Sequence, residues 1–575
     1  MQYAYAVFEL LAGLGAFLIG VKLLSENMEK LATDKLRNLF NRNAETNATD
    51  KGAHRTGKQK FKDFLKTAKT RLVGVGIGTA TTAVVQSSSL TTVMVVGLVN
   101  VGVMTLTQAT TIIMGANIGT TITAQIAALQ SFDVAKFAVA LTGIGVLVAM
   151  FSKKEKVQTV SYAIAGLGLV FVGLDVMSSS MAFFRESDAI KTLFSSITNP
   201  FLLFFLGIAV TAIVQSSSAV TAILISMVGE GLMIGGGGND VLFIILGTNI
   251  GTCVTALLSS MGATINAKRA AVIHLLFNCI GSIIFFIILI CWQDMAAMTL
   301  EKWFPGHPDT QIAMFHTFFN VICTVLFLPF TRGFVKLSEI LVQPRKRRHG
   351  KEESEAQPVS TRLDKRLLAT PSIAVDNATQ EALEALKDAT LCLRVAIDGF
   401  VEKDLTKTDE VTALNAKTDE RLQNIDKYLV QVSAYDVTID LERRIAALHS
   451  CLGDIHRVGE LAQNVTKYTR RTDKDNLYFS PKVKDDVKDM FSLLENMSSK
   501  AGEAMTTGAG DLLDEVDRLE NEIDARRKRL IKEHVQRLGS GECRPESSNV
   551  FVNLVCNLER VGDHLNYIAH SSDSN

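Results

Sequence analysis

The sequence predicts an all-α protein in two parts. One is a polytopic membrane half built from two inverted repeats, each with a re-entrant hairpin. The other is a soluble tail of six helices in two three-helix bundles. Three observations predict it. From Met1 to about Val342 the 575-residue chain is a series of apolar stretches, each near the roughly 20 residues that cross a bilayer. One polar phrase stands twice inside that half, TAVVQSSSLTT at 82–92 and TAIVQSSSAVT at 211–221. From Pro344 onward the chain is charged, with helical periodicity. Zero formal net charge is therefore an average over two unlike halves, and no nucleic acid is expected as a partner.

The first apolar stretch carries Lys22 and lacks a basic start, so it reads as a crossing rather than a cleavable signal. Crossings are expected near 6–27, 108–129, 133–151, 158–178, 241–261, 270–291 and 311–334, in a domain spanning 1–340. Three landmarks recur in order. Residues 13–28 (GLGAFLIGVKLLSENM) resemble 166–181 (GLGLVFVGLDVMSSSM), 153 residues on. The QSSS runs lie 129 residues apart, and GANIGTTITA at 115–124 recurs as GTNIGTCVTA at 247–256, 132 residues on. Landmarks kept in order mark an internal duplication, with repeat one at about 5–151 and repeat two at about 158–292. The changes in offset place an insertion near 41–66 of copy one and a short one near Gly235–Gly238 of copy two.

Loops rich in Lys and Arg face the cytosol. By that rule the basic 29–71 loop, SKKEK at 152–156, Lys268-Arg269 and Arg345-Lys346-Arg347-Arg348 lie inside, while 185–199 lies outside. The N-terminus is then outside and the second repeat is upside down. Each QSSS segment enters and returns from its own side. Gly74, Gly76, Gly78, Gly97 and Gly102 suit chain reversal and close packing.

Hydrocarbon supplies no hydrogen bonds, so a Gln-Ser-Ser-Ser run at membrane depth needs a partner. Bonds back to helix carbonyls and tight helix packing would satisfy one run. Two runs at matching places in two repeats point to a binding site at the repeat interface. The candidates are Gln86, Ser87, Ser88, Ser89 and Thr92, with Gln215, Ser216, Ser217, Ser218 and Thr221. Such groups donate to an oxyanion and offer lone pairs to a small cation, and hairpin tips add helix N-termini. No Lys or Arg lies in either run, so a multivalent anion needs cations beside it. Asn117 and Thr120, with Asn249 and Thr252, extend the set. A Gly-Asn-Gly break at each Asn would free carbonyls for a hard cation, and the simpler reading is close helix packing.

The paired QSSS runs, the GANIGT and GTNIGT runs and the GLGxFLxG start resemble the bacterial form of the type II sodium/phosphate cotransporters over about residues 5–335. The resemblance implies movement of inorganic phosphate coupled to Na+, both QSSS runs forming the site. It implies a plasma-membrane protein and no enzyme; no P-loop, nucleophile elbow or HExxH stands in the chain. The alternative is a membrane-embedded phosphate sensor that signals through its tail.

After a charged linker at 341–362, the tail (363–575) is expected to form helices at about 375–402, 409–433, 437–470, 482–505, 509–537 and 548–571. Arg457-Val458-Gly459-Glu460 recurs as Arg560-Val561-Gly562-Asp563, 103 residues on. The run Asn557 to Asp563 resembles the signature of PhoU-like phosphate-regulation domains. That resemblance implies a divalent or iron-type metal on Glu559 and Asp563, with His456 and Glu460 in the first copy. Arg salt bridges on a solvated face are the plainer reading. A cytosolic regulatory protein and a homo-oligomer are compatible partners. All eight cysteines are expected to be reduced. His274 reads as a hydrogen-bonded core residue. Lys22 and Asp175, at equivalent repeat positions, read as buried anchors that pair.

Overall fold

The computed structural model describes residues 2–45, 57–132, 134–344, 362–435, 437–507, 509–540 and 545–571, which are all-α. It divides into two compact units, Met1–Arg348 and His349–Asn575. The 345–348 basic run, most of the expected linker, residues 46–56 of the insertion and Cys543 lie outside the described residues.

The first unit begins with α1 (Gln2–Glu45), α2 (Gly57–Val85), α3 (Ser88–Asn100), α4 (Leu106–Ala128), α5 (Val134–Phe151) and α6 (Glu155–Glu186). It continues through α7 (Asp188–Ser195), α8 (Pro200–Val214), α9 (Ser217–Gly229), α10 (Asp240–Ser259) and α11 (Ile265–Cys291). A short α12 (Glu301–Trp303), α13 (Pro308–Phe327) and α14 (Thr331–Leu341) close it. Five described helices are long and apolar enough to cross a membrane, and the α7–α8 pair, bent by 105°, makes a sixth candidate. The protein is a multi-pass membrane protein. The buried α4 falls short on apolarity because it is lined with Thr, Gln and Asn. Such polarity is tolerable where a helix is enclosed by protein rather than lipid.

Close helix contact here depends on glycine. A Cβ on Gly13 would lie 2.9 Å from the Gly173 carbonyl oxygen, and one on Gly20 would lie 2.9 Å from that of Gly166. Partner numbers fall as α1 advances, so α1 and α6 run antiparallel. Gly13 and Gly166 are repeat equivalents, as are Gly20 and Gly173, so each copy's glycines meet the other copy's. In the same way Gly78 and Gly115 bring α2 onto α4, while Gly207 and Gly247 bring α8 onto α10. Lipid tails are as apolar as Leu, so van der Waals contact at such seams, not hydrophobic burial, holds helices together. Phe17, Met114, Leu174, Met177, Leu203, Phe277 and Phe319 fill the shared core.

Four expectations change. The 29–71 segment is mostly helix, since α1 continues to Glu45 and α2 begins at Gly57; no Pro or Gly interrupts 29–45. Likewise α7 occupies much of the 185–199 loop. Lys22 and Asp175 are neither buried nor paired: Lys22 reaches Glu26 at 3.6 Å, and Asp175 is exposed. Antiparallel packing of equivalent helices sets equivalent positions apart along the seam, which prevents that pair. His274 is buried, but its Nδ1 has no hydrogen-bond partner.

The second unit holds α15 (Pro371–Glu402), α16 (Thr406–Ser433), α17 (Ile439–Lys474), α18 (Pro481–Thr507), α19 (Gly510–Gly539) and α20 (Pro545–His570). The first three pack on one another, as do the last three, and α17 lies against α20. Phe400 and Phe551 are fully buried. Asn557 Nδ2 donates to the Leu461 carbonyl at 2.7 Å, tying α20 to α17. Seven described cysteines are free thiols, and burial pushes those of Cys392 and Cys451 up to about 12.

Candidate functional site

Both QSSS runs fall at helix breaks of one design. Gln86 at φ 52° and Gln215 at φ 58° take the left-handed conformation, which costs an L-residue with a Cβ about 1–2 kcal/mol. The next Ser turns extended and caps a new helix. Ser87 Oγ accepts from Leu90 N at 3.2 Å, and Ser216 Oγ accepts from Ala219 N at 3.2 Å. The remaining serines open α3 and α9, whose first turns present free N–H groups and the positive end of a helix dipole. Chain reversal therefore rests on the Gln itself. Gly74 and Gly78 serve packing within α2, and Gly102, at φ +75°, turns the chain after α3.

The four helices carrying the candidates converge. Both α3 and α9 pack against α4 and α10, which hold Asn117 with Thr120 and Asn249 with Thr252. Gln86, Ser88, Thr92, Asn117 and Thr120 are buried, as are Ser217, Thr221, Asn249 and Thr252. Ser87, Ser89, Ser216 and Ser218 are half-buried, and Gln215 is exposed. The expected Gly-Asn-Gly breaks are absent: α4 and α10 run through Asn117 and Asn249 unbroken. The flanking glycines are occupied by close contact with α2 and α8, so they bring backbones together rather than free carbonyls.

The polar groups divide into spent and unspent. Thr120 and Thr252 donate to their own helices, to Ala116 O at 3.0 Å and Thr248 O at 2.9 Å. Thr92 Oγ1, Thr221 Oγ1 and Asn117 Nδ2 are buried without a partner among the described residues. A buried polar atom left unpaired costs about 1–3 kcal/mol, so this set fits a bound species that brings its own oxygens or positive charge.

Sequence reasoning missed several members. Thr123 Oγ1 donates to Gln86 Oε1 at 2.8 Å, and Thr82 bonds Thr91 across the break at 3.0 Å. His316 on α13, buried, meets Asn249 Oδ1 through Nε2 at 3.3 Å. Thr123 had a signal, since it recurs as Thr255 within the second GxNIGT run. His316 follows the repeats and has no counterpart to betray it.

Against this geometry the comparisons with known proteins are direct. A model of the Na+/Pi-cotransporter family matches twice, at residues 46–179 and 180–300, and a PhoU domain model matches 487–572. The chain is a Na+/Pi-cotransporter domain fused to a PhoU domain. It is a secondary transporter of that family, not an enzyme. A protein of Escherichia coli (strain K12) named for inorganic phosphate export, YjbB, is 24% identical over 503 residues, covering 87% of this chain and 88% of that protein. Sodium-dependent phosphate transport protein 2A of Mus musculus is 36% identical over 131 residues, 21% of this chain and 20% of its own. The phosphate-specific transport system accessory protein PhoU homolog 1 of Thermotoga maritima is 25% identical over 183 residues, 32% of this chain and 75% of its own. No solved structure matches.

In the PhoU half the expected metal ligands do not converge. Among the described residues no group of three or more His, Cys, Asp or Glu is arranged to hold a metal. Glu559 faces Arg527 Nη1 at 3.5 Å, a charge that opposes a cation. Burial, then neighbouring Asp563, raises the Glu559 carboxyl above its ordinary value. His456 Nδ1 meets Asp419 at 2.8 Å and its Nε2 meets Glu460 at 3.5 Å, while Arg457 holds Glu460 from the other side.

Proposed function

We propose that the membrane unit couples Na+ to the movement of inorganic phosphate at one site shared by the two QSSS breaks. The observation that carries this is the pair of capped helix starts, α3 and α9, packed on α4 and α10 with Thr92, Thr221 and Asn117 unspent between them. Ser88, Ser89, Ser217 and Ser218 would donate to phosphate oxygens, supported by the first-turn N–H groups of both helices. Hydroxyl oxygens, with the Gln side-chain oxygens, would coordinate Na+ through their lone pairs. Neutral donors alone compensate a desolvated multivalent anion poorly; the cation supplies the missing charge, and that is the physical basis of coupling.

The antiparallel α1–α6 seam supports an inverted duplication, because equivalent helices related by a two-fold axis in the membrane plane run in opposite directions. In this reading each QSSS break is the tip of a re-entrant hairpin. The N-terminus lies outside and the tail in the cytosol. There its two three-helix bundles regulate transport. The name of the Escherichia coli relative brings export into question, so flux is to be read in both directions. Purified protein in liposomes should carry labelled phosphate only with Na+. Full flux in potassium medium without a pH gradient would sink the proposal, and binding without flux would favour a sensor.

A further inference from the structure

The two breaks agree in sequence and backbone but differ in their surroundings, and the differences form one pattern. In copy one, α1 closes on the break. Ser25 Oγ donates to the Val85 carbonyl at 2.5 Å, and buried Gln86 accepts from Thr123 at 2.8 Å. In copy two the matching contacts are unmade. Ser178, the equivalent of Ser25, takes Gln130 Nε2 at 2.5 Å. Gln215 is exposed, and its side chain has no hydrogen-bond partner among the described residues. Thr255, the equivalent of Thr123, keeps a buried Oγ1 with no partner among the described residues.

The asparagines show the reverse. Asn117 Nδ2 has no partner. Asn249 donates to Ile245 O at 2.9 Å and meets His316 at 3.3 Å. Copy one therefore ties its Gln and leaves its Asn amide unspent, while copy two does the opposite. An inverted duplication reaches its other-facing state when the copies exchange conformations.

The geometry points to Thr255 as a positioning residue for transport: in the opposite state Gln215 swings inward to accept from Thr255 Oγ1, as Gln86 now accepts from Thr123. In that state α6 closes over Val214 as α1 now closes over Val85, and copy one opens. This rests on the inverted-repeat transport reading above.

Thr255→Val removes the hydroxyl and keeps the shape. Na+-dependent phosphate binding should stay near wild type while turnover falls at least about tenfold, and Thr255→Ser should restore turnover. Wild-type turnover in Thr255→Val would overturn the assignment. So would a joint loss of binding and turnover that serine does not rescue. A second measurement is independent of the cargo. The cysteine pairs S25C with V85C and S178C with V214C should both oxidise to disulfides, the single variants controlling for native thiols. Na+ with phosphate should move the two yields in opposite directions. A 178–214 pair that stays reduced while 25–85 closes also overturns it. If both pairs close but the protein carries no phosphate, the exchange stands and the transport reading fails.

Discussion

The two units of this chain carry different kinds of polarity. The membrane unit carries neutral polar groups and leaves a cluster of them unspent: Thr92, Thr221 and Asn117 have partnerless atoms beside the helix breaks. The tail carries charge, and several of its charged groups meet across helix pairs. Arg421 meets Glu381 and lies 3.2 Å from Asp388, Arg526 meets Asp489 at 2.6 Å, and His564 meets Asp454 at 2.9 Å. Polar atoms left open in a buried place are a cost that a cargo offsets, whereas closed ion pairs hold helices in register. Binding chemistry should therefore be concentrated in the first unit, and substitutions in the second should change control or stability.

The largest effect tests that division at its centre. Ser88→Ala or Ser217→Ala should cut Na+-dependent phosphate flux by about 100-fold or more with inserted protein at wild-type amounts, each removing a donor from a desolvated anion. Wild-type flux in both would reduce the QSSS runs to packing devices. Next comes a residue the repeats did not reveal. His316→Phe frees Asn249 Oδ1 from its one side-chain partner. The Na+ concentration for half-maximal flux should fall about two- to tenfold, the worth of one hydrogen bond; an unchanged Na+ dependence would limit His316 to packing.

Smaller effects belong to the tail. Deleting 350–575 should keep Na+-dependent flux within about threefold, a shift under about 1 kcal/mol, while changing its response to cellular phosphate. Complete loss of substrate binding in a stably inserted truncation would erase the division of roles. The smallest effect concerns Glu559. Its carboxyl is raised in the folded state by burial and then by Asp563, so the folded chain holds that proton more tightly than the unfolded chain. Stability from this group is gained as pH falls through the folded value and lost above it. Glu559→Gln should flatten the pH dependence of amide exchange protection in α19 and α20 at pH above the ordinary carboxylate value of about 4.3. A marked fall in protection that added metal reverses in the wild type alone would restore a metal role.

Much of this was legible because duplication repeats its own message. The QSSS runs stood out by recurring in apolar surroundings, and family matching finds the Na+/Pi-cotransporter domain twice. The asparagine runs misled as to backbone. Gly flanking Asn is equally a break signal and a close-packing signal, and only the facing helix decides between them. Here Thr79 and Ile208 supply carbonyls against Gly119 and Gly251, and the helices stay whole. Lys22 and Asp175 mislead because equivalence in sequence is not proximity in space: α1 and α6 pack antiparallel, so the two positions lie apart along the seam. The long α1 was hidden because a run of charges suits a helix as well as a loop.

The left-handed glutamines have a consequence for durability. Glycine would take that backbone without strain, against a small penalty from a freer unfolded chain. A chain with glycine at 215, where the side chain is exposed, should therefore survive heating as well as this one, or better, and carry no cargo; at 86 glycine would also leave Thr123 Oγ1 without its Gln86 acceptor. The amide at 215 is kept where the fold alone would favour glycine, which makes that break a point where endurance has been traded for traffic.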